Sequence, residues 1–455
     1  REDYYRKEIS FRVSCSYGPG RYDPDYEEEG RDYPLPFVRW TEGRNMEAVL
    51  DLMASGSLRP LDLVTHRFEF EDSPAAYEMI ASGSEPYCGM LLDYPGEDRV
   101  RRAAVDLGSA PRSRTEGSIG LSVAGAGSFA QSFLLPELGR LGRVDRRLVT
   151  TASGVTAGDV GRRFGFAGAV DSFDAIIEDE PTTAVLIATR HDMHAGLVER
   201  ALRAGRHVFV EKPLCIREEE LRSIAACIRE LAASGPLPVL QVGFNRRFSP
   251  AARKLRSHFG DDPCPLMMHY RVNAGRIPRE HWTQSPEHGG GRIVGEACHF
   301  IDLMQFVCGS DPVSVCAQAI RTGDSSVPLQ DNVSIQLSFG NGSVGTIHYF
   351  SEGARAMPKE MLEVSGRGTS AVIDNFRTLE VYGSRKSGRI RAAGKGFGEE
   401  LEAFGRAMRT GEPAIAIESQ LITTLSTFRA LESIESGKVL PVDIRDLYPE
   451  EEEVP

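Results

Sequence analysis

Apolar and polar positions alternate with different periods in different parts of the chain. Residues 1 to about 35 are rich in Tyr, Asp, Glu, Gly and Pro and predict an irregular segment. "NMEAVLDLMASG" (45–56) has helical spacing, with Met46, Val49, Leu50 and Met53 on one side and Gly56 as a stop. "LVTHRFEF" (63–70) alternates as a strand does. "SPAAYEMIASG" (73–83) predicts a helix with Ser73 as N-cap and Pro74 at its first position. "GSAPRSRTEGS" (108–118) has the composition of a linker.

From residue 118 the texture changes. Short apolar runs, "IGLSVAG" (119–125), "RRLVTTAS" (146–153), "TAVLIAT" (183–189) and "HVFVEK" (207–212), predict strands. Helical patterns separate them, among these "HAGLVERALRAG" (194–205) and "REEELRSIAACIRELAAS" (217–234). Such alternation implies an α/β fold, a parallel sheet covered on both faces. After about residue 245 the strands lengthen: "PLMMHYRVN" (265–273), "VSIQLSF" (333–339) and "SVGTIHYF" (343–350). These predict an open, mainly antiparallel sheet in a second, α+β domain, with late helices over 398–411 and 421–437.

Composition narrows the function class. At 455 residues, 41% apolar and 26% charged, the chain has ample material for two or three cores. A net charge of −12 argues against nucleic-acid partners or an anionic membrane surface, both of which need a basic face. No apolar run is long enough to span a membrane, and "REDYYRKEIS" is no signal peptide. The eight cysteines are dispersed with no C-x-x-C pair, which suits a cytoplasmic protein with neither disulfide framework nor metal site. The chain starts at Arg1 without a methionine, which reads as a fragment or trimmed product.

The chemistry begins at "SVAGAGSFAQ" (122–131). Gly125-x-Gly127-x-x-Ala130 follows a strand and opens a helical pattern, with Ser128 and Phe129 at the helix start. The first glycine allows the tight turn, and the second lets backbone approach a pyrophosphate at the helix N-terminus. In that context the motif points to a dinucleotide, although a glycine-rich turn with only a packing role has the same letters. An acid at the end of the next strand would hold the ribose hydroxyls of NAD. Here that strand ends Thr151-Ala152-Ser153-Gly154, and Arg162 and Arg163 lie on the following helix. The small polar end leans toward NADP, with NAD left open.

"ATRHDMHAGLVERALRAG" followed by "HVFVEKP" resembles the Gfo/Idh/MocA oxidoreductases. "QVGFNRRFSP" (241–250), "GGGRIVGEACHFIDL" (289–303) and "LESIESGKVLPV" (431–442) follow in the order that family shows. The resemblance covers about 118–440. It implies an NAD(P)-binding Rossmann domain over 118–244, a substrate domain over 245–445 and an acidic tail over 446–455. It also implies a homo-oligomer acting on a sugar, cyclitol or nucleotide-sugar. By that resemblance Lys212 exchanges a proton with the reacting hydroxyl, and Glu211 and Pro213 shape its loop beside the cofactor. Thr189 and His194 line the nicotinamide side, and His299 is a partner in proton transfer. Taken alone, Lys212 is an ordinary strand-end lysine and His299 a core histidine on the stripe of Phe300, Ile301 and Leu303. The chemistry fits the stronger roles, because hydride transfer from a carbinol needs a base on its hydroxyl proton.

Many members carry an aspartate four residues before the histidine, where this chain has Gly295. Either the adjacent Glu296 supplies the acid or the chemistry rests on Lys212 and His299. Asn245, Arg246, Arg276 and Trp282 lie in or near loops and are candidates to grip the substrate, or else surface residues and interdomain ties.

Residues 1–107 carry another resemblance. "EISFRVSCSYGPGRYDP", "VRWTEGRNMEAVLDLMASGSL", "LVTHRFEFEDSPAAYEMI" and "GMLLDYP" are similar to the C-terminal end of a zinc-type, medium-chain dehydrogenase. Cys15 and His66 lack ligand-like spacing, so neither zinc nor separate catalysis is expected there. The expected activity is NAD(P)-dependent oxidation or reduction at a secondary hydroxyl. Its rivals are a cofactor-binding sensor or assembly subunit, and a sugar hydrolase using NAD transiently.

Overall fold

The amphipathic stretch before residue 56 does become a helix, α1 (Glu42–Ala54), but it buries none of its residues. Met46, Val49, Leu50 and Met53, the apolar side of that spacing, are exposed. The computed structural model describes residues 6–7, 17–27, 30–94, 104–108, 117–152, 154–260, 264–321, 329–383, 387–392 and 394–448. They belong to two units, residues 1–101 and 102–455. In the first, β1 (Val64–Glu69), α2 (Ser73–Ser82) and β2 (Gly89–Asp93) form a β-α-β unit with the two strands parallel. Asp72, not Ser73, is the N-cap of α2. The 3-10 turn Phe70–Asp72 runs straight into the helix and leaves Ser73 with helical φ and ψ.

In the second unit, the edge strand β3 (Ala104–Asp106) comes first, ahead of the expected linker at 108–117, most of which lies outside the described residues. It is followed by β4 (Ile119–Ala124), β5 (Val144–Thr150), α3 (Gly154–Phe164), β6 (Gly168–Val170) and α4 (Phe173–Glu178). Then come β7 (Ala184–Ile187), α5 (His194–Arg203), β8 (His207–Val210), α6 (Glu218–Ser234) and β9 (Leu240–Val242). Among the described residues these strands form one sheet in the order β3-β6-β5-β4-β7-β8-β9. Its pairings are parallel except β3 with β6.

Period-two alternation explains the continuous apolar runs. Leu121, Val123, Leu186 and Phe209 enter the core on one face, and Val185, Ile187, Val208 and Val210 enter the core on the other. The helical pattern after Gly127 becomes a π-turn over Ala130–Leu134 and a 3-10 segment over Leu135–Leu141. Pro136 lacks the N–H that a regular helix would use there.

The remainder builds a second sheet. α7 (Pro250–Phe259), β10 (Met267–Asn273) and α8 (Cys298–Cys308) precede β11 (Pro312–Ala319), β12 (Asn332–Phe339) and β13 (Val344–Phe350). β14 (Glu360–Gly366), β15 (Thr369–Asp374), β16 (Thr378–Gly383) and β17 (Gly388–Arg391) follow. α9 (Phe397–Thr410), α10 (Ile417–Ser436) and β18 (Leu440–Pro441) end the fold. The strand order is β17-β16-β15-β14-β10-β13-β12-β11-β18, antiparallel except where β10 meets β13.

α9 departs from the expected division at residue 245. Its Leu401, Phe404 and Ala407 are buried in the core of the first sheet, with the Phe404 ring 5.7 Å from that of Phe209. A Cβ on Gly405 would stand 2.3 Å from the Leu141 carbonyl oxygen, so glycine is what permits this approach. Gln420 of α10 ties in the edge strand β9. Its Oε1 accepts from the Val242 N–H at 2.7 Å, and its Nε2 donates to the Leu240 carbonyl at 3.1 Å.

Candidate active site

The site forms where parallel strands end and the second sheet's connecting segments arrive, as open α/β sheets favour. At the end of β4, Gly125 takes φ +86, and a Cβ there would stand 2.6 Å from the Ala188 carbonyl. That close approach brings the loop against the end of β7. A Cβ on Gly127, by contrast, would meet nothing within 4 Å, so the loop presents bare backbone to open space. Bare backbone beside a helix start is what a dinucleotide pyrophosphate requires, so the residues present fit the cofactor. Ser128 and Phe129 begin the helical turn, and Phe129 also faces the cavity. Ser153 lies outside the described residues.

A cavity of about 250 Å³ opens beside this loop. Phe129, Thr189, His191, His194, Glu211 and Lys212 line it from the first sheet. Ile277, Trp282, Arg292, Gly295 and Glu296 line it from the second domain. Lys212 stands two residues beyond β8, with a cis peptide to Pro213. Its Nζ donates to the carbonyl oxygen of Gly295 at 3.0 Å.

Burial raises the Glu211 carboxyl to about 7 despite the opposing pull of Lys212 and Arg246. Its Oε2 accepts from the Lys212 N–H at 3.3 Å, and its Oε1 has no partner among the described residues. Fully buried Glu400 is pushed well up by burial and by the neighbouring Glu211. His194 is buried too, and its two ring nitrogens lie 2.7 Å from the Pro213 carbonyl and 3.3 Å from the Thr189 carbonyl. Burial keeps the ring neutral with a single N–H, and the shorter distance assigns it to Nδ1, which donates to the Pro213 carbonyl of the lysine loop.

Glu296 sits on the π-turn Ile293–Ala297. Burial disfavours its charge, but Lys212, Arg292, Lys359 and the Tyr349 hydroxyl at 2.9 Å outweigh that and hold the carboxyl below its ordinary range. The cavity therefore has an ionised carboxylate close to its lysine. His299 is buried at the head of α8. Burial first, then Arg246, Lys212, Lys395 and Lys359, push it well below the usual range, so it is neutral.

Two of the expected substrate residues face elsewhere. Arg246 is buried, its guanidinium 2.7 and 3.0 Å from the two carboxylate oxygens of Glu360. The Tyr270 hydroxyl and Lys395 Nζ reach the same carboxylate, at 2.8 and 2.5 Å. Asn245 is also buried and donates to the Lys395 carbonyl at 2.9 Å. These are internal ties, because a buried guanidinium needs a carboxylate and Glu360 supplies it. Arg276 is exposed and lies outside the cavity lining, whereas its neighbour Ile277 belongs to it. Trp282 does reach the cavity, its ring 4.8 Å from that of His191.

Sequence reasoning passed over His191 and Arg292. His191 stands in the motif-bearing "TRHDMH", and Arg292 directly follows the three glycines 289–291, so adjacency to a motif was the available signal. Among the described residues no group of three His, Cys, Asp or Glu side chains is placed to hold a metal ion. No helix among them is long and apolar enough to cross a membrane.

Comparison with known proteins agrees with this geometry. The model of an oxidoreductase family with an NAD-binding Rossmann fold matches residues 119–234, and that of a GFO/IDH/MocA C-terminal domain matches 263–387. Inositol 2-dehydrogenase of Rhizobium meliloti (strain 1021) is 27% identical over 282 residues, 59% of this chain and 83% of the relative. The scyllo-inositol 2-dehydrogenase (NAD(+)) of Bacillus subtilis (strain 168) is 26% identical over 341 residues, 68% of this chain and 96% of the relative. A levoglucosan dehydrogenase solved with NADH and levoglucosan shares the fold, with TM-score 0.63 and 21% identity over 72% of this chain and 99% of that one. The chain belongs to the Gfo/Idh/MocA family of NAD-binding oxidoreductases.

Proposed function

We propose that the chain oxidises a secondary hydroxyl of a sugar or cyclitol, or reduces the matching ketone, with Lys212 as the acid/base. The observation that carries this reading is that Lys212, Glu296 and the cofactor-side residues Phe129 and Thr189 all line one cavity. Relatives named for inositol and levoglucosan support the substrate class. The cavity, about 250 Å³, is small beside the roughly 300–1,000 Å³ usual for ligand pockets. That size suits a single ring better than a nucleotide-sugar.

Bound NAD(P) supplies the hydride acceptor. The protein must then take the hydroxyl proton as the C–H bond breaks and leave a carbonyl behind. Lys212 Nζ, anchored through one hydrogen to Gly295, keeps its lone pair for that proton when it enters as the free amine. Ionised Glu296 sits where it stabilises the ammonium that results, the role of the acid expected at 295. Neutral His299 is buried outside the cavity lining, and its low basicity argues against a part in proton uptake. With no acid at residues 151–152 and Arg162 on α3, NADP stays open beside NAD. Residues 1–101 carry a β-α-β unit, consistent with a piece of a medium-chain dehydrogenase that takes no part in this chemistry.

Lys212→Ala tests the reading. Turnover of a polyol panel, followed by nicotinamide absorbance, should fall about 10²–10⁴-fold, the usual range for removing an acid/base group. Cofactor affinity should stay within a few-fold. Full activity in the variant refutes the assignment. Tight cofactor binding with no polyol-dependent absorbance in the wild type favours the sensor.

A further inference from the structure

His191 opens the 3-10 turn His191–Met193 after β7, and its ring is part of the cavity wall. Its Nδ1 lies 2.8 Å from the carbonyl oxygen of Gly289. A carbonyl only accepts, so Nδ1 carries the ring proton and Nε2 is left as a bare acceptor. The tautomer is held firmly, because Gly289 is wedged in place. A Cβ on it would stand 2.4 Å from the Thr283 backbone, and its own N–H donates to the Ser285 carbonyl at 2.8 Å. Trp282 meets the ring edge-on on another side. With Nδ1 turned to Gly289, the Nε2 edge is the one left for the cavity.

Burial, then the charge of Lys212, pushes this imidazole down to about 3, so the acceptor stays open throughout the neutral range. His191 and Lys212 also approach the same residue from two sides. Lys212 Nζ bonds the Gly295 carbonyl at 3.0 Å, and a Cβ on Gly295 would touch His191 Cε1 at 3.5 Å. A side chain longer than alanine at 295 would compete with the ring for that space.

We propose that His191 Nε2 accepts a hydrogen bond from the hydroxyl adjacent to the one that Lys212 deprotonates, so that the cavity selects a vicinal diol. The inference rests on Lys212 as the acid/base. It makes His191 a specificity-determining residue and defines the substrate as a ring with two neighbouring free hydroxyls. A site whose buried acceptor expects a donor discriminates strongly against an analogue that lacks it.

The experiment compares wild type, His191→Asn and His191→Gln with NAD⁺ and a panel of myo-inositol, scyllo-inositol and levoglucosan. For each polyol turned over, the analogue lacking one hydroxyl beside the reacting carbon is assayed as well. Asparagine reaches only the Nδ1 position and keeps the bond to Gly289, whereas the glutamine amide carbonyl reaches the Nε2 position. His191→Asn should raise KM for the diol about tenfold, with kcat within about threefold and the pH profile unmoved. His191→Gln should bring KM back to within about twofold of wild type. For the deoxy analogue, His191→Asn should leave KM unchanged. Thermal melting and NAD⁺ binding confirm that both variants fold. A wild type that turns over no polyol overturns the acid/base reading and this inference together. An active wild type whose KM survives His191→Asn, or rises equally for diol and deoxy analogue, overturns the role of His191 alone.

Discussion

Glu211 and Lys212 are neighbours in sequence with opposite surroundings. The lysine reaches into the cavity, while the glutamate is enclosed and raised to about 7 by burial. Its folded value lies above the ordinary 4.5, so the protonated form favours folding. That contribution is present below about pH 4.5 and is lost as pH rises through 7. By linkage the loss amounts to about 3 kcal/mol. Urea unfolding should therefore show wild type losing about that much stability relative to Glu211→Gln between pH 4.5 and 8. A pH-independent difference between the two proteins would show that the carboxyl is ionised throughout.

The two loop glycines separate folding from binding. Gly125→Ala brings a Cβ to 2.6 Å from the Ala188 carbonyl at φ +86 and should lower the melting temperature markedly. Gly127→Ala enters open space and should leave melting nearly unchanged while weakening NAD⁺ binding, read by fluorescence titration. The structure brings Lys212 and Thr189 to one cavity and Gly125 and Gly127 to the loop beside it, and the sequence could single them out because each sits near a strand end inside a local motif. For Arg246 and Asn245 the sequence left substrate grip and internal tie as alternatives, because the partners that decide are far off: Glu360 lies 114 residues from Arg246, and Lys395 lies 150 from Asn245. His191 went unnoticed because its role depends on Gly289, 98 residues away.

Among elements, the strands read from the sequence (β1, β4, β5, β7, β8, β10, β12 and β13) fall within one to three residues of their bounds, because apolar runs or alternation bounded by turn residues mark them. Short or amphipathic strands such as β6, β9, β11 and β14–β17 were not read. α9 was legible as a helix but not in its allegiance. Helical periodicity says which face is apolar and nothing about which of two sheets receives it. Phe404 against Phe209 settles that question in the structure. Phe404→Ala should destabilise the protein by about 3–5 kcal/mol, the usual range for emptying a buried phenylalanine. Chemical unfolding followed by far-UV circular dichroism checks this, and a loss below 1 kcal/mol would mean the packing carries little weight. Likewise α1 shows the period of a packed helix while Met46, Val49, Leu50 and Met53 stay exposed. Periodicity predicts the stripe but not its cover.

At the scale of the whole molecule, the two sheets of residues 102–455 share more than a boundary. The chain leaves the first sheet at β9, builds the second, then returns α9 to the first and lets Gln420 cap the β9 edge. Family resemblance suggests a simple succession of domains, whereas the contacts describe an interleaved pair. Consider a graft of the nucleotide-binding half from one relative onto another, cut where β9 ends. In this molecule such a cut would leave the grafted sheet with an apolar trough where Leu401, Phe404 and Ala407 belong. The transferable unit is the first sheet together with residues 397–410, two pieces of chain that must be moved as one.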